Sequence, residues 1–435
     1  MTVAIVGAGL TGSLLACFLA RRGLSVTLYE KRADPRTGEA ERGRSINLAI
    51  SERGLDALRR IGLADEVMAD ALPMKGRMIH PVEGPLDFHS YSASQDRAIN
   101  SISRGALNNA LLDAAEKAPG VTVVFEHRLV SLDSQAGVMG FETPSGVVRV
   151  EADVVLGADG AGSAVRGQLV GDGSIVDDVD FLDYGYKELS IPAAGGEFAL
   201  DPGALHIWPR GRSMMIALPN PDKSFTCTLF WPAGSFDALT TPALILGYFG
   251  EHYPDLLPLA PSLVDDYLHN PVGVLGTVHT HPWQAHGRTA LIGDAAHAIV
   301  PFYGQGANCA FEDVVALDRC LDDTGGSWAR ALPLFEARRR ENTEAIAEMA
   351  LANFVEMRDK VSSPVFRLGK RFEHAVERLL PGRYVSRYEL VSFSTTPYAE
   401  VRHRVRRQHQ ALAAAVLVGT GALAALVRAA ARRLR

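Results

Sequence analysis

The first residues able to do chemistry are three glycines. The apolar run Val3-Ala4-Ile5-Val6 leads into Gly7, Gly9 and Gly12, spaced G-x-G-x-x-G, with Leu10 and Thr11 between the last two. This spacing suits a pyrophosphate: one glycine makes the tight turn, one lets backbone approach the phosphates, and one lets the next helix pack against the strand. Ser13–Ala20 reads as that helix, whose N-terminus favours negative charge. Leu24–Tyr29 is a second strand, and Glu30 at its end can accept both hydroxyls of an adenosine ribose. Strand, glycine turn, helix and acid in this order predict a dinucleotide site, with Tyr29, Lys31 and Arg32 beside Glu30.

Two later segments bear on the cofactor. Val154–Leu156 runs into Gly157-Ala158-Asp159-Gly160, and Ala290–Ile292 runs into Gly293-Asp294-Ala295-Ala296-His297. Pro301-Phe302-Tyr303-Gly304-Gln305-Gly306-Ala307-Asn308 follows. There is no second G-x-G-x-x-G for a nicotinamide. A helix N-terminus after such a loop would stabilise the negative charge of a reduced flavin. His297 is tempting as a base but reads as a structural histidine. Cys17, Cys227, Cys309 and Cys320 form no CxxC pair, so we expect no metal site and a reduced, cytoplasmic protein.

The three segments together resemble the FAD-dependent aromatic hydroxylases, the class A flavin monooxygenases. The resemblance narrows with further blocks: Gly43–Ala49, Gly76-Arg77-Met78-Ile79-His80, Ser101–Arg104, Gly185–Leu189, His206-Ile207-Trp208-Pro209-Arg210, Met214–Asn220, Ser224–Phe230 and Asn353–Arg358. Over residues 1–400 these are similar to the kynurenine 3-monooxygenase family. It implies FAD as cofactor, NADPH and O2 as co-substrates, and hydroxylation of L-kynurenine to 3-hydroxykynurenine through a flavin hydroperoxide, in tryptophan degradation. It assigns Asp159, Gly293, Asp294, Gly306, Ala307 and Asn308 to the flavin, with Arg44, Ala49, Arg104 and Leu129 completing the cofactor's contacts. One departure stands out: the family's loop reads G-Q-G-M-N, and Ala307 replaces the methionine here.

An amino-acid substrate needs its carboxylate held away from the flavin, a task for the planar fork of arginine. The resemblance gives it to Arg77, helped by Tyr91, Asn353 and Tyr388; the surroundings of Tyr91 lack the family's Pro-Tyr-Gly. Glu356 and Met357 share a helix face with Asn353 by their i, i+3, i+4 spacing. The ring end needs an apolar slot. Alternation puts Met214, Ile216 and Leu218 on one strand face, and Phe230 ends the neighbouring strand; the resemblance implies that they line the pocket with Leu205, Phe302 and Tyr303. Gln305, Tyr303 and Phe302 are the residues expected nearest the reaction, with Gln305 placing oxygen or the substrate carbonyl. An aniline ring already donates electrons, so no strong protein base is needed.

Other readings are a hydroxylase of another aromatic amino acid or anthranilate-like substrate, and a flavin-binding protein without turnover. A halogenase would need W-x-W-x-I-P, and Trp208, Trp231, Trp283 and Trp328 are too dispersed to supply it.

These residues require a scaffold of several cores, and 435 residues suffice for two or three domains. With 47% hydrophobic and 22% charged residues the chain is neither disordered nor coiled coil. A net charge of -6 gives no reason to expect a nucleic-acid partner. The predicted fold is α/β: a Rossmann-like FAD-binding domain (1–70, 98–178 and 280–325), an inserted antiparallel-sheet substrate domain (71–97 and 179–279), and a C-terminal helical region (326–400). Residues 104–118 and 328–380 read as helical, and Val147–Leu156 as strand. Residues 401–435 hold eight Arg and no Asp or Glu. Within them Ala411–Val427 is uncharged, at the short limit for a membrane span. Membrane contact through this tail is one expectation and a core helix the other; oligomeric state is left open.

Overall fold

Every residue of Val3–Val6 is buried, because Thr2–Val6 lies inside a six-stranded sheet. Across that sheet run Gln284–Ala285, Thr289–Leu291, Val154–Gly157, Thr2–Val6, Ser25–Tyr29 and Val121–Val124. All neighbours are parallel except the first pair. Continuous apolar runs suit strands covered on both faces. Helices Leu10–Arg21, Arg104–Lys117 and Gly306–Asp323 pack together beside it, and the antiparallel sheet of Arg128–Asp133, Val138–Thr143 and Gly146–Glu151 adds Leu129, Met139 and Phe141 to the same core. The parallel strands end on one edge, where the Gly7 turn, Glu30, Asp159 and Gly293 follow them. Ligands of open α/β sheets bind at that edge.

A second sheet of seven strands carries the other half of the molecule, in the order Gly273–His281, Val176–Ile191, Phe225–Trp231, Ser213–Pro219, Ala204–Arg210, Gly76–Ile79 and Asp87–Ser90. It is antiparallel except where Gly76–Ile79 pairs in parallel with Ala204–Ile207. One face packs on helices Pro242–His252 and Leu263–His269 through Trp208, Met215, Phe225 and Phe249. The other face looks toward the flavin-type loop through Ile207, Met214, Phe230 and Phe302. A small sheet of Leu48–Ile50, Ile99–Ile102 and Leu72–Met74 joins the two halves.

Helix Trp328–Val355 crosses behind both halves, turns through a π-helical segment Glu356–Lys360, and is followed by Pro364–Leu379 and Arg387–Ser392. This computed structural model describes residues 1–37, 47–92, 96–360, 364–380, 382–412 and 414. Arg44 and nearly all of the uncharged Ala411–Val427 stretch lie outside them. Among the described residues no helix is long and apolar enough to cross a membrane.

The structure departs from the sequence pattern at two places. Val147–Leu156 is two strands in different sheets, parted at Ala152-Asp153, where Asp153 accepts from the Thr2 amide at 2.7 Å. The helical stretch 328–380 is interrupted by the π turn at Glu356.

Candidate active site

One cavity of about 510 Å³ runs from the glycine turn, between the two sheets, to Arg77 and Tyr388. Gly7, Gly9, Leu10 and Thr11 line its first end. Gly7 sits at φ +104°, and its amide donates to Tyr29 O at 2.7 Å. A side chain at Gly12 would lie 1.9 Å from Gly7 O, so helix Leu10–Arg21 meets the turn only through a glycine. Gly12 therefore packs behind the cavity instead of lining it. Gly9 has open space where its side chain would be. Tyr29, Glu30, Lys31, Arg32, Arg104 and Leu129 form the adjoining wall. Glu30 accepts from the Ala8 and Arg32 amides at 3.0 and 3.1 Å, which braces the turn against the second strand.

The middle of the cavity is bounded by Ala49, Asp159, Asp294, Gly306 and Ala307. Asp159 also accepts from the Ala164 and Val165 amides and from Ser163 Oγ, capping the helix Ala164–Gly171. Helix Gly306–Asp323 starts here. Backbone, open space at Gly9 and the helix N-terminus at Gly306 form a lining that could hold an extended dinucleotide.

The far end is an apolar slot of Leu205, Ile216, Leu218, Phe230, Phe302 and Tyr303. Register explains the grouping: Leu205 faces Arg77, Ile216 faces Thr228, and each pair shares a sheet face. Met214 has the same parity, but it is fully buried in the core cluster with its cross-strand partner Phe230 and with Phe302, and it does not line the cavity.

Arg77 is buried, and its Nε has no hydrogen-bond partner. Its guanidinium lies 5.1 Å from the Tyr388 ring and 5.7 Å from the Tyr91 ring. Its anionic neighbour is Glu356, at 3.8 Å. Burial opposes the Arg77 charge, but the phenols of Tyr91 and Tyr388 and the Glu356 carboxylate outweigh it and hold its pKa above the usual value. Burial likewise pushes the Tyr91, Tyr303 and Tyr388 phenols up, so they stay neutral.

Helix Arg387–Ser392, capped by Ser386 Oγ, presents Tyr388. Tyr91 stacks on Tyr388 at 4.4 Å, one layer behind the cavity wall. Asn353 lines the cavity while its amide nitrogen donates to Phe302 O at 2.6 Å and lies 3.2 Å from the Met357 sulfur. Met357 lines it too, whereas Glu356 sits behind Arg77 and pairs with Arg387 at 3.2 Å.

Three of the expected site residues turn away. Gln305 Oε1 accepts from Tyr398 at 2.9 Å, so its side chain buttresses the C-terminal segment rather than facing the cavity. Asn308 is fully buried; it donates to Ala49 O and Gly304 O and accepts from the Ser51 amide. Gly293 lies below the wall, its amide donating to Asp313 at 3.1 Å.

His297 lies 2.5 Å from Asp313, which also takes Arg339 at 2.6 Å. It lies outside the main cavity, as a structural histidine should. Among the described residues, His297, Cys309 and Asp313 bring metal-ligand atoms within 4.8 Å of one another. Arg339 fills the cation's place there, 3.3 Å from the Cys309 sulfur, and burial raises the thiol's pKa.

Sequence reasoning missed Met74, Ile99 and Thr228 on the wall. Thr228 is fully buried with its hydroxyl unpartnered. Strand alternation from Phe230 would have found it.

The FAD binding domain family matches residues 1–179 and 276–348. The kynurenine 3-monooxygenase of Stenotrophomonas maltophilia (strain K279a) is 48% identical over 95% of this chain and 92% of its own length. The chain belongs to the kynurenine 3-monooxygenase family. The family member from Dictyostelium discoideum is 43% identical, covering 91% of this chain and 89% of its own. Solved structures share the fold: 2-methyl-3-hydroxypyridine-5-carboxylic acid oxygenase has a TM-score of 0.68 at 23% identity, covering 86% of this chain and 97% of that one. The p-nitrophenol 4-monooxygenase of Pseudomonas putida DLL-E4 also has 0.68, at 20% identity over 86% and 94%. As a kynurenine 3-monooxygenase family member with an FAD-binding domain, the protein is an FAD-dependent monooxygenase.

Proposed function

We propose that the protein hydroxylates L-kynurenine to 3-hydroxykynurenine, with NADPH and O2 as co-substrates. One observation carries the reading: a buried arginine with an unpartnered Nε closes an apolar slot at the end of the cavity away from the glycine turn. A carboxylate is the group that a planar, desolvated fork holds best. The kynurenine 3-monooxygenase name of relatives at 43–48% identity supports the choice of amino acid.

Bound FAD supplies the reduction of oxygen and its delivery to the ring. The chain's residues bind and orient. Arg77 takes the α-carboxylate. Asn353, with its amide nitrogen committed to Phe302, offers its oxygen to the α-ammonium, and Glu356 adds negative charge behind it. Leu205, Ile216, Leu218, Phe230 and Phe302 clamp the ring and keep water out, which favours one ring carbon facing the flavin. Thr228 is the polar exception among them and fits the aniline nitrogen or the ketone. With Tyr303 and Tyr388 neutral, no group of the slot acts as a strong base, which an aminobenzoyl ring does not need.

The test is NADPH oxidation by the FAD-loaded protein with and without L-kynurenine, with the product identified by mass and chromatography. Stimulated oxidation with 3-hydroxykynurenine is expected. Stimulation yielding only peroxide would make kynurenine an effector and another aromatic acid the substrate.

A further inference from the structure

The family-like blocks Gly76–His80 and His206–Arg210 leave residues with no place in the cavity. His80, His206 and Trp208 lie on the opposite face of the seven-stranded sheet from Arg77 and Leu205, as period-two alternation requires. His80 and His206 are both buried. Together with Asp255 they form a chain of hydrogen bonds whose donors can be counted.

His206 Nε2 lies 2.8 Å from Asp201 O, an atom that only accepts, so this nitrogen carries a hydrogen. His80 Nε2 lies 2.8 Å from His206 Nδ1, so one hydrogen sits between the rings. His80 Nδ1 lies 2.7 Å from Asp255 Oδ2, which also accepts from Trp208 Nε1 at 2.9 Å. Burial would raise the Asp255 carboxyl, but the His80 and Trp208 bonds outweigh it and hold it ionised. Three hydrogens on four ring nitrogens leave the histidine pair with one positive charge. Of the two rings only His80 touches the Asp255 carboxylate, so the positive charge rests there.

The neighbours complete the account. Trp208 stacks on His80 at 4.0 Å. Arg210 donates to His80 O at 2.7 Å and lies 5.1 Å from the Tyr253 ring.

This chain spans the joint that places Arg77. Gly76–Ile79 joins the sheet through a four-residue parallel pairing, Gly76 with Ala204 through Ile79 with Ile207. The amides of Lys75 and His80 extend it to Gly203 O and Ile207 O, each at 2.8 Å. A slip of one residue would turn Arg77 to the wrong face.

We propose that His80 is a positioning residue: an imidazolium that donates to Asp255 and His206 on the far face of the sheet, and so fixes the register that aims Arg77 into the cavity. The proposal rests on the reading that Arg77 takes a substrate carboxylate.

The test compares L-kynurenine with its analogue lacking the α-carboxylate, using FAD-loaded enzyme. His80→Gln keeps one donor and loses the pair with Asp255. It should lower kcat/KM for kynurenine about tenfold, mostly through KM, and leave the analogue within about twofold. In an Arg77→Met background His80→Gln should add nothing, because the two act on one interaction. Asp255→Asn should reproduce the effect and serves if His80→Gln does not fold. NMR of the histidine rings should show hydrogens on both His80 nitrogens in the wild type. Equal losses on both substrates, additivity with Arg77→Met, or a singly protonated His80 would each overturn the proposal. If the wild type turns over neither compound, the functional reading falls, while the ring spectrum still decides the imidazolium.

Discussion

Replacing Arg77 by methionine removes the guanidinium and keeps much of its volume. Arg77 Nε has no partner, and the nearest carboxylate is 3.8 Å away. A substrate carboxylate would therefore form two charge-assisted hydrogen bonds that the unliganded protein does not make. At ~1.5–3 kcal/mol each, and discounted for non-additivity, they amount to about 3–4 kcal/mol, or roughly two to three decades in kcat/KM. The loss should fall on KM, because the carboxylate stays bound through the reaction. Glu356 retains Arg387 at 3.2 Å, so the variant does not strand a buried anion and should keep its FAD. Steady-state NADPH oxidation with L-kynurenine and the decarboxylated analogue gives the comparison. The expected result is a large loss on kynurenine and less than about a threefold change on the analogue. Equal losses on both, with flavin content intact, would show that Arg77 shapes the site without binding a carboxylate.

Three further outcomes follow from the same geometry. Gly9→Ala should fold but lose FAD affinity, since its new methyl enters open cavity space, whereas Gly12→Ala should fail to fold because it strikes Gly7 O at 1.9 Å; flavin-to-protein absorbance and circular dichroism separate the two. Asp313→Asn should destabilise the protein by about 3 kcal/mol, seen as a lowered thermal transition, because Arg339 and His297 lose a buried partner. The Asp313 carboxyl is held below its usual range, so its stabilisation is present above the unfolded value of 3.8 and is lost as pH falls through the folded one; in Asp313→Asn that acid-sensitive part should vanish. Tyr398→Phe should loosen Gln305 and raise KM for kynurenine severalfold while the product stays the same, as expected of a support behind the loop.

Local spacing revealed much of this protein, and depth revealed the rest. The Gly7–Gly12 turn, Glu30 and the segment after Val154–Leu156 were readable because each follows a strand within a few residues and lines the cavity. Arg77, Asn353 and Tyr388 were readable only through resemblance, since nothing local says that three distant segments meet. Strand parity placed Met214, Ile216 and Leu218 on one face correctly but could not tell that Met214 is buried in the core beside Phe230. Gln305 and Asn308 look like ligand-facing residues in a glycine-rich loop, yet both turn inward, because the loop's own backbone and the segment around Tyr398 needed partners. Thr228 went unnoticed among apolar neighbours. The small sheet carrying Met74 and Ile99 is built from three short strands far apart in sequence, which no window of local pattern detects. The break at Ala152-Asp153 was hidden by unbroken strand character on both sides.

The most direct measurement is NADPH consumption by FAD-loaded protein with and without L-kynurenine, with the product identified. Kynurenine-stimulated oxidation that yields 3-hydroxykynurenine is predicted. A folded, flavin-loaded protein whose NADPH oxidation does not respond to kynurenine would contradict the account.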